Sequence, residues 1–340
     1  MTRRITYVEA LNEAIHQAMD GDPRVLLLGQ GVNNPWYVGQ SLKGVYARFG
    51  PDRVVDPPVS EQAMNGVVIG AALSGMRPVV VHPRMDFMLI GLEQIINQAA
   101  NWSYMFAGQA SVPLVIWAII NRGGEQGAQH SQAIHAMLAH IPGLKVVMPA
   151  TPYDVKGLML ASISDPDPVA VIDERLLYPI IGEVPEAPYE VEIGKAQVMR
   201  EGRDVTVVAT SHMVWEAMAA ADELSKDGVS VEVINLRSLK PLDKTAILRS
   251  VGKTHRLLVA DGGWQTYGIS GEVIATVAEA DPGMLKSPVA RVCLPDLPAP
   301  SSRALEQVYY PSRKNIIAEV TAMLERGHTP VSARDNASSD

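Results

Sequence analysis

Glu61 and His130 stand where the type of side chain and its surroundings permit chemistry. Glu61 follows the run Val54-Val55-Asp56-Pro57-Pro58-Val59-Ser60 and heads a stretch, Met64 through Ala72, that is small and apolar. A carboxylate there lies at a strand-to-helix junction, the place where ligands collect in open α/β sheets. On spacing alone a simpler role fits better: Glu61 complements the helix dipole and Ser60 caps it. His130 belongs to Asn121-Arg122-Gly123-Gly124-Glu125-Gln126-Gly127-Ala128-Gln129-His130-Ser131-Gln132, a polar, glycine-rich loop after the most apolar run in the chain. Its glycines permit close backbone approach to a ligand, and an imidazole exchanges protons near neutral pH. A surface loop with Ser131 as an N-cap fits that pattern equally well. His135 and His140 fall on the next helix and read as structural. Cys293 is the sole cysteine; it reads as a small buried apolar residue and excludes a disulfide framework or a cysteine-rich metal site.

The elements around these residues follow one grammar. Thr6 and Glu9 have capping-box spacing, and Val8, Leu11, Ile15 and Met19 recur at helical intervals until Asp20-Gly21-Asp22-Pro23. Val25 to Gly29 is then a short apolar run, as expected for a strand covered on both faces. Further runs at Pro78 to Val81, Pro113 to Ile119, Leu144 to Met148 and Val169 to Ile172 alternate with helical stretches near Glu61 to Ser74, Phe87 to Asn101, Gln132 to His140 and Pro152 to Ser164. The alternation predicts an α/β fold whose largely parallel sheets are flanked by helices. The segment 182–190, rich in proline and acid, reads as a linker between a first domain, 1–181, and a second, 191–326. In the second domain strands are expected at Val205 to Ala209, Val229 to Ile234 and Arg256 to Ala260, with helices near Val214 to Lys226, Asp243 to Val251 and Ile269 to Ala278. The tail 327–340 lacks an apolar period and is expected to be disordered.

Composition narrows the function classes. At roughly 150 residues per domain, 340 residues make two domains, and 47% hydrophobic with 19% charged residues is an ordinary globular balance. A net charge of −8 has the wrong sign for broad contact with nucleic-acid phosphates. No run reaches the roughly 18 apolar residues of a membrane span, and the N-terminus shows neither a signal core nor a transit segment. Together with the single cysteine this predicts a cytoplasmic protein with no nucleic-acid or membrane partner.

From Ile5 to about Met323 the chain resembles the β subunit of thiamine-diphosphate-dependent 2-oxo acid dehydrogenases, the pyruvate, branched-chain and acetoin E1 type within the transketolase-like superfamily. The resemblance rests on Ile5-Thr6 to Ala10-Leu11, Val25 to Gly29, Val59-Ser60-Glu61, Gln94-Ile95-Ile96-Asn97, Gln129-His130-Ser131-Gln132, Pro142 to Val147, Ile193-Gly194-Lys195-Ala196, Ile234-Asn235-Leu236-Arg237 and Gly262-Gly263-Trp264. It implies a pyrimidine-binding domain followed by a transketolase C-terminal-like domain. It also implies that Glu61 is the glutamate bonded to N1′ of the cofactor's aminopyrimidine, where a carboxylate favours the imino tautomer that deprotonates the thiazolium C2. Phe87 then packs on the pyrimidine ring, Gln30 and Pro83 lie beside the cofactor, and His130 stabilises charge and moves protons during acyl transfer. Leu114, Ile163, Asp165 and Asp167 fall where many relatives hold a structural potassium ion, mostly through backbone oxygens.

The family's Gly-Asp-Gly motif for the diphosphate and its divalent metal does not occur. Gly21-Asp22-Pro23 has proline in place of the second glycine, and Asp261-Gly262-Gly263 lacks the preceding one. The resemblance therefore implies a half-site, completed by an E1 α subunit that holds the diphosphate and Mg2+, in an α2β2 heterotetramer with an apolar interface. The default activity is decarboxylation of a 2-oxo acid and transfer of the acyl unit to a lipoyl group of an E2 partner. Two departures qualify that default. Gln30 replaces a common glutamate, and Val81-His82-Pro83-Arg84 replaces a mostly apolar stretch, so that His82 and Arg84 become candidate substrate residues. Arg84 has the geometry to clamp a carboxylate or phosphate; pairing with Asp86 is the alternative. Carboligation or transketolase-like transfer to an aldehyde or sugar is the second reading. A non-catalytic scaffold paralogue is the third, opposed by the joint presence of Glu61, Phe87 and His130.

Overall fold

The computed structural model describes residues 2–34 and 37–326; the 327–340 tail lies outside the described residues. The strands are β1 (Thr2–Thr6), β2 (Val25–Gly29), β3 (Val54–Val55), β4 (Arg77–His82), β5 (Val115–Ile120), β6 (Lys145–Val147), β7 (Val169–Glu174), β8 (Ile181–Pro185), β9 (Gln197–Arg200), β10 (Val205–Ala209), β11 (Val231–Asn235), β12 (Ser238–Lys240), β13 (Leu257–Trp264) and β14 (Ala290–Leu294). They form a seven-stranded sheet in the order β12-β6-β7-β5-β4-β2-β3, a five-stranded sheet in the order β14-β13-β10-β11-β9, and the pair β1-β8. In the larger sheet only β12 is antiparallel, and in the smaller only β9. This is the expected α/β architecture.

Local physics accounts for the elements. In β5 the sequence Val-Ile-Trp-Ala-Ile-Ile is buried at every position, which requires helices on both faces. The capping box opens helix Tyr7–Gly21: the Glu9 amide donates to Thr6 Oγ1 at 3.3 Å and the Thr6 amide donates to Glu9 Oε2 at 2.8 Å. Thr151 caps helix Pro152–Ser164, whose proline sits in the first turn. One apolar cluster runs without a break from Ile116, Ile134 and Leu138 to Ile234, Leu236, Val259 and Ile269, so the two sheets share a core.

Several elements differ from expectation. The segment 182–190 begins in a strand, because 182–185 of β8 pair antiparallel with Thr2–Ile5 of β1; a partner far away in sequence satisfies backbone that has no period of its own. The helix expected over Phe87 to Asn101 is broken into a tight turn at Met85–Gly91, a wide turn at Gln94–Ala100 and a short helix at Asn101–Met105. Gly91 is the cause, since it lies directly against helix Glu61–Leu73: a Cβ there would meet the Asn65 side chain and stand 2.9 Å from the Glu61 carbonyl oxygen. The helix expected from Gln132 begins only at His135, because the Gln132 amide donates to Asp86 Oδ1 at 3.0 Å instead. No local pattern announces β12, which leaves the second half of the chain to join β6 at the edge of the larger sheet. Cys293 lies on β14, where burial pushes its thiol up to about 12 and makes it a poor nucleophile.

Candidate active site

The parallel strands β2, β4, β5 and β7 end together, and the residues just beyond them form the site: Gln30 after β2, Pro83 and Arg84 after β4, Asn121 after β5, and Arg175 after β7. Carboxyl ends of parallel strands are where open α/β sheets present ligand-binding groups. Glu61 enters from the helix after β3. It is buried, and Gln30 Nε2 donates to its Oε1 at 3.2 Å. Ser60 makes no capping bond, so Glu61 is not the ornament of a capped helix start. The neutral amide of Gln30 steadies the carboxylate without the repulsion that a second carboxylate would bring.

Phe87 and His130 come together from different loops. Their ring centroids are 5.3 Å apart with planes at 86°, an edge-to-face pair. Phe87 is 37% exposed. Asp86 fixes the pairing, because its Oδ1 takes the Gln132 amide from the His130 loop; burial pushes its carboxyl above the usual range. Gly123, Gly124 and Gly127 all have positive φ near 72°, as does Glu125 at 64°, and this left-handed run explains the glycine-rich composition. The loop is tethered to helix Arg303–Tyr309 at both ends of one residue. The Glu125 amide donates to Glu306 Oε1 and the Arg303 amide donates to Glu125 Oε1, each at 3.1 Å.

Arg84 is half-buried, with Nη1 donating to the Pro83 carbonyl at 3.0 Å and Nη2 to Gln126 Oε1 at 3.3 Å. It forms no ion pair with Asp86 among the described residues. His82 is not presented to solvent. It is 1% exposed, its Nε2 lies 3.1 Å from Asn65 Oδ1, and burial lowers it to about 4. The inward-facing strand position puts His82 behind the site, supporting the helix that carries Glu61. His135 is likewise buried, 3.1 Å from Asp261 Oδ2. Burial alone would raise the Asp261 carboxyl, but His135 and the Thr210 hydroxyl outweigh it and hold it at about 2.

The four residues aligned with a potassium site do not fit one. The Arg77 guanidinium donates to the Ile163 carbonyl at 2.7 Å and to the Asp165 carbonyl at 3.2 Å. Leu114 O accepts the Val169 amide at 2.9 Å. Lys145 Nζ pairs with the carboxylates of Asp165 at 2.7 Å and Asp167 at 3.4 Å. The Arg77 guanidinium thus takes two of the backbone oxygens that a potassium ion would need, and a backbone amide a third. Among the described residues no group of three or more His, Cys, Asp or Glu side chains is placed to hold a metal ion. Sequence reasoning missed Asn65, Tyr37, Asn121 and Arg175; for the last two the available signal was position, since Asn121 directly follows the wholly apolar β5 and Arg175 directly follows β7.

A buried carboxylate at the carboxyl ends of parallel strands, with a partly exposed aromatic residue on the turn after β4, suits the aminopyrimidine half of thiamine diphosphate. Comparison with known proteins agrees. The transketolase pyrimidine-binding domain family matches residues 3–180 and the transketolase C-terminal domain family matches 194–316. The chain is 42% identical over 337 residues to the β subunit of acetoin:2,6-dichlorophenolindophenol oxidoreductase of Cupriavidus necator, covering 96% of this chain and 99% of that one. It is 42% identical over 319 residues to mitochondrial pyruvate dehydrogenase E1 component subunit β-2 of Oryza sativa subsp. japonica, covering 93% and 85%. To the 2-oxoisovalerate dehydrogenase subunit β of Bacillus subtilis it is 38% identical, covering 94% and 99%. A solved split-gene transketolase in an inactive β4 tetramer shares the fold, with a TM-score of 0.77 at 24% identity over 94% of this chain and 98% of that one. The chain belongs to the transketolase-like β subunits of 2-oxo acid dehydrogenase E1 components.

Proposed function

We propose that this chain is the β half of a heteromeric enzyme that decarboxylates a 2-oxo acid and passes the acyl unit to a lipoyl group of an E2 partner. Residues 1–181 form the pyrimidine-binding unit and 191–326 the second unit, working in the cytoplasm. The observation that carries the proposal is the buried Glu61 carboxylate at the carboxyl ends of the parallel strands, steadied by the neutral amide of Gln30. Thiamine diphosphate, when bound, supplies the carbanion chemistry that makes loss of carbon dioxide possible. Glu61 holds a proton at the pyrimidine N1′, and Phe87 orients the ring by stacking. Pro83 shapes the pocket beside it. His130, half-buried at the mouth, exchanges protons with the acyl-bearing group and excludes bulk water.

The diphosphate and Mg2+ fall to an α subunit. Helix Glu61–Leu73 supports such a partner, since its outer face, Ala63, Gly66, Val67, Gly70 and Leu73, is apolar yet at least partly exposed, with Val67 at 59%. A helix apolar all round belongs inside an assembly. The deciding experiment is turnover by this chain with its α partner, thiamine diphosphate, magnesium and a panel of 2-oxo acids. An artificial electron acceptor goes in one arm and aldehyde acceptors in the other. Dye reduction without aldehyde supports the oxidative E1 reaction. Carbon–carbon bond formation alone would reassign the chain to carboligation, and silence in both arms would make it a scaffold.

A further inference from the structure

Beyond the residues proposed to address the cofactor, the strand ends hold three buried donor groups that find no acceptor among the described residues. Arg84 and Arg175 stand beyond β4 and β7, on either side of β5. Neither forms an ion pair among the described residues. Arg84 Nε is buried without a partner. Asn121, just after β5 and 4% exposed, accepts from Arg175 Nη1 through its Oδ1 at 3.0 Å, and its Nδ2 is a second buried donor without a partner among the described residues. The Tyr37 hydroxyl, on a residue 7% exposed and within electrostatic reach of Arg84, is a third. Asp86 and Asp56 each accept a backbone amide on one oxygen, Asp86 Oδ1 from Gln132 and Asp56 Oδ1 from Gly31, and although the Asp86 charge favours the charged form of Arg84, neither forms an ion pair with Arg84 or Arg175 among the described residues. Burial and the Arg175 charge both push the Arg84 guanidinium down from its usual range. Two like charges and three orphaned donors in one place are costly unless an anion joins them.

We propose that Arg84, Arg175, Asn121 and Tyr37 form an anion subsite beside the cofactor half-site, which holds a second, non-reacting carboxylate or phosphate of the oxo acid or of its acceptor. The inference rests on the functional reading above and deepens it, because it makes the preferred reactant doubly anionic. The reacting carboxylate is not the ligand, since a guanidinium clamp on the group that leaves as neutral carbon dioxide would stabilise the ground state over the transition state. Arg84 is suited to the spare anion by its planar fork and permanent charge.

Binding is read first on the chain alone, by calorimetric titration with inorganic phosphate and with succinate, against Arg84→Met, Arg175→Met and Arg84→Lys. Binding of one probe is expected, weakened tenfold or more in both Met variants and partly restored in Arg84→Lys. The probe that binds separates phosphate from carboxylate as the ligand chemistry. On the enzyme assembled with its α partner, the readout is the ratio of kcat/KM for 2-oxoglutarate, or for a phosphorylated acceptor, to that for pyruvate or an uncharged acceptor. That ratio is expected to fall about tenfold to a hundredfold in the Met variants, the range of a lost charge-assisted pair. Titration unchanged by the Met substitutions, or binding of neither probe, overturns the proposal. So does loss of α-subunit association in the Met variants with an unaltered substrate ratio, which would place the two cations at the subunit interface. An assembled enzyme that turns over no 2-oxo acid defeats the functional reading, while the titration still decides the subsite.

Discussion

The proposed role of Glu61 rests on a carboxylate that is buried at the strand ends and held by the neutral amide of Gln30. Glu61→Gln keeps the size and the contact with Gln30 but can no longer hold the pyrimidine proton. Turnover is expected to fall at least a hundredfold, the scale of a lost general acid–base group, with α-subunit assembly intact by size-exclusion chromatography. Undiminished turnover would remove Glu61 from the mechanism. His82 makes a different prediction. Its folded value near 4 lies below the free value of 6.5, so the unfolded chain binds the extra proton first. The stability it contributes is present above pH 6.5 and is lost as pH falls toward 4, about 3 kcal/mol in all. Asp173, raised to about 6 by burial, has the opposite slope between 3.8 and 6. The test is therefore the difference in urea midpoints between parent and His82→Gln, which is expected to shrink as pH drops from 7 to 5. A pH-independent difference would mean that His82 is not held neutral by the fold.

At the scale of elements, the backbone of helix Glu61–Leu73 is set by Gly91, whose missing Cβ lets the two segments touch. Gly91→Ala places a methyl against the Glu61 carbonyl, a backbone atom that cannot swing aside, so the helix start must move. Thermal stability is expected to fall by the equivalent of about 1–3 kcal/mol, and turnover by a larger factor than that loss explains, because the displaced group is the carboxylate proposed to address the cofactor. A variant with normal turnover would show that the helix start tolerates the shift. Elements defined by local cues were legible in the sequence. Val25–Gly29, Val205–Ala209 and Pro152–Ser164 have the bounds that their apolar runs, glycine and Thr151-Pro152 announce. Elements defined by distant partners were not. β8 is a strand because β1 lies beside it, β12 because β6 has a free edge, and the break near Gly91 because another helix needs the space. The site divides in the same way. Family resemblance pointed to Glu61, Phe87 and His130, of which the fold pairs Phe87 with His130, while Asn121 and Arg175 emerge only when the strand order sets β5 beside β4 and β7 beside β5. His82 shows the limit of reading along the chain, since the side of the strand on which it falls decided its role.

On the scale of the whole molecule, the two sheets are tied by buried polar bonds as well as by the shared core. His135 meets Asp261, Arg122 donates to the Gly262 carbonyl, and Asp154 pairs with both Asn235 and Arg237. Such bonds fix the relation between units more strictly than apolar contact does. The outer face of helix Glu61–Leu73 is left without a partner of its own, and Gly66 and Gly70 on that face have nothing within 4 Å of where a Cβ would stand. Two glycines in a helix cost roughly 0.5–1 kcal/mol each relative to alanine, and nothing inside this chain returns that cost. A closely packed backbone from another subunit would. The double variant Gly66→Ala, Gly70→Ala is therefore expected to raise the thermal midpoint of the isolated chain, since neither methyl meets a clash and both favour the helix. The same variant is expected to weaken association with the α subunit by at least tenfold, read by analytical ultracentrifugation of the mixed chains. Opposite signs in the two measurements are the mark of a surface shaped for a partner. A variant that gains stability and assembles as tightly as the parent would show that the small residues of this face serve no interface.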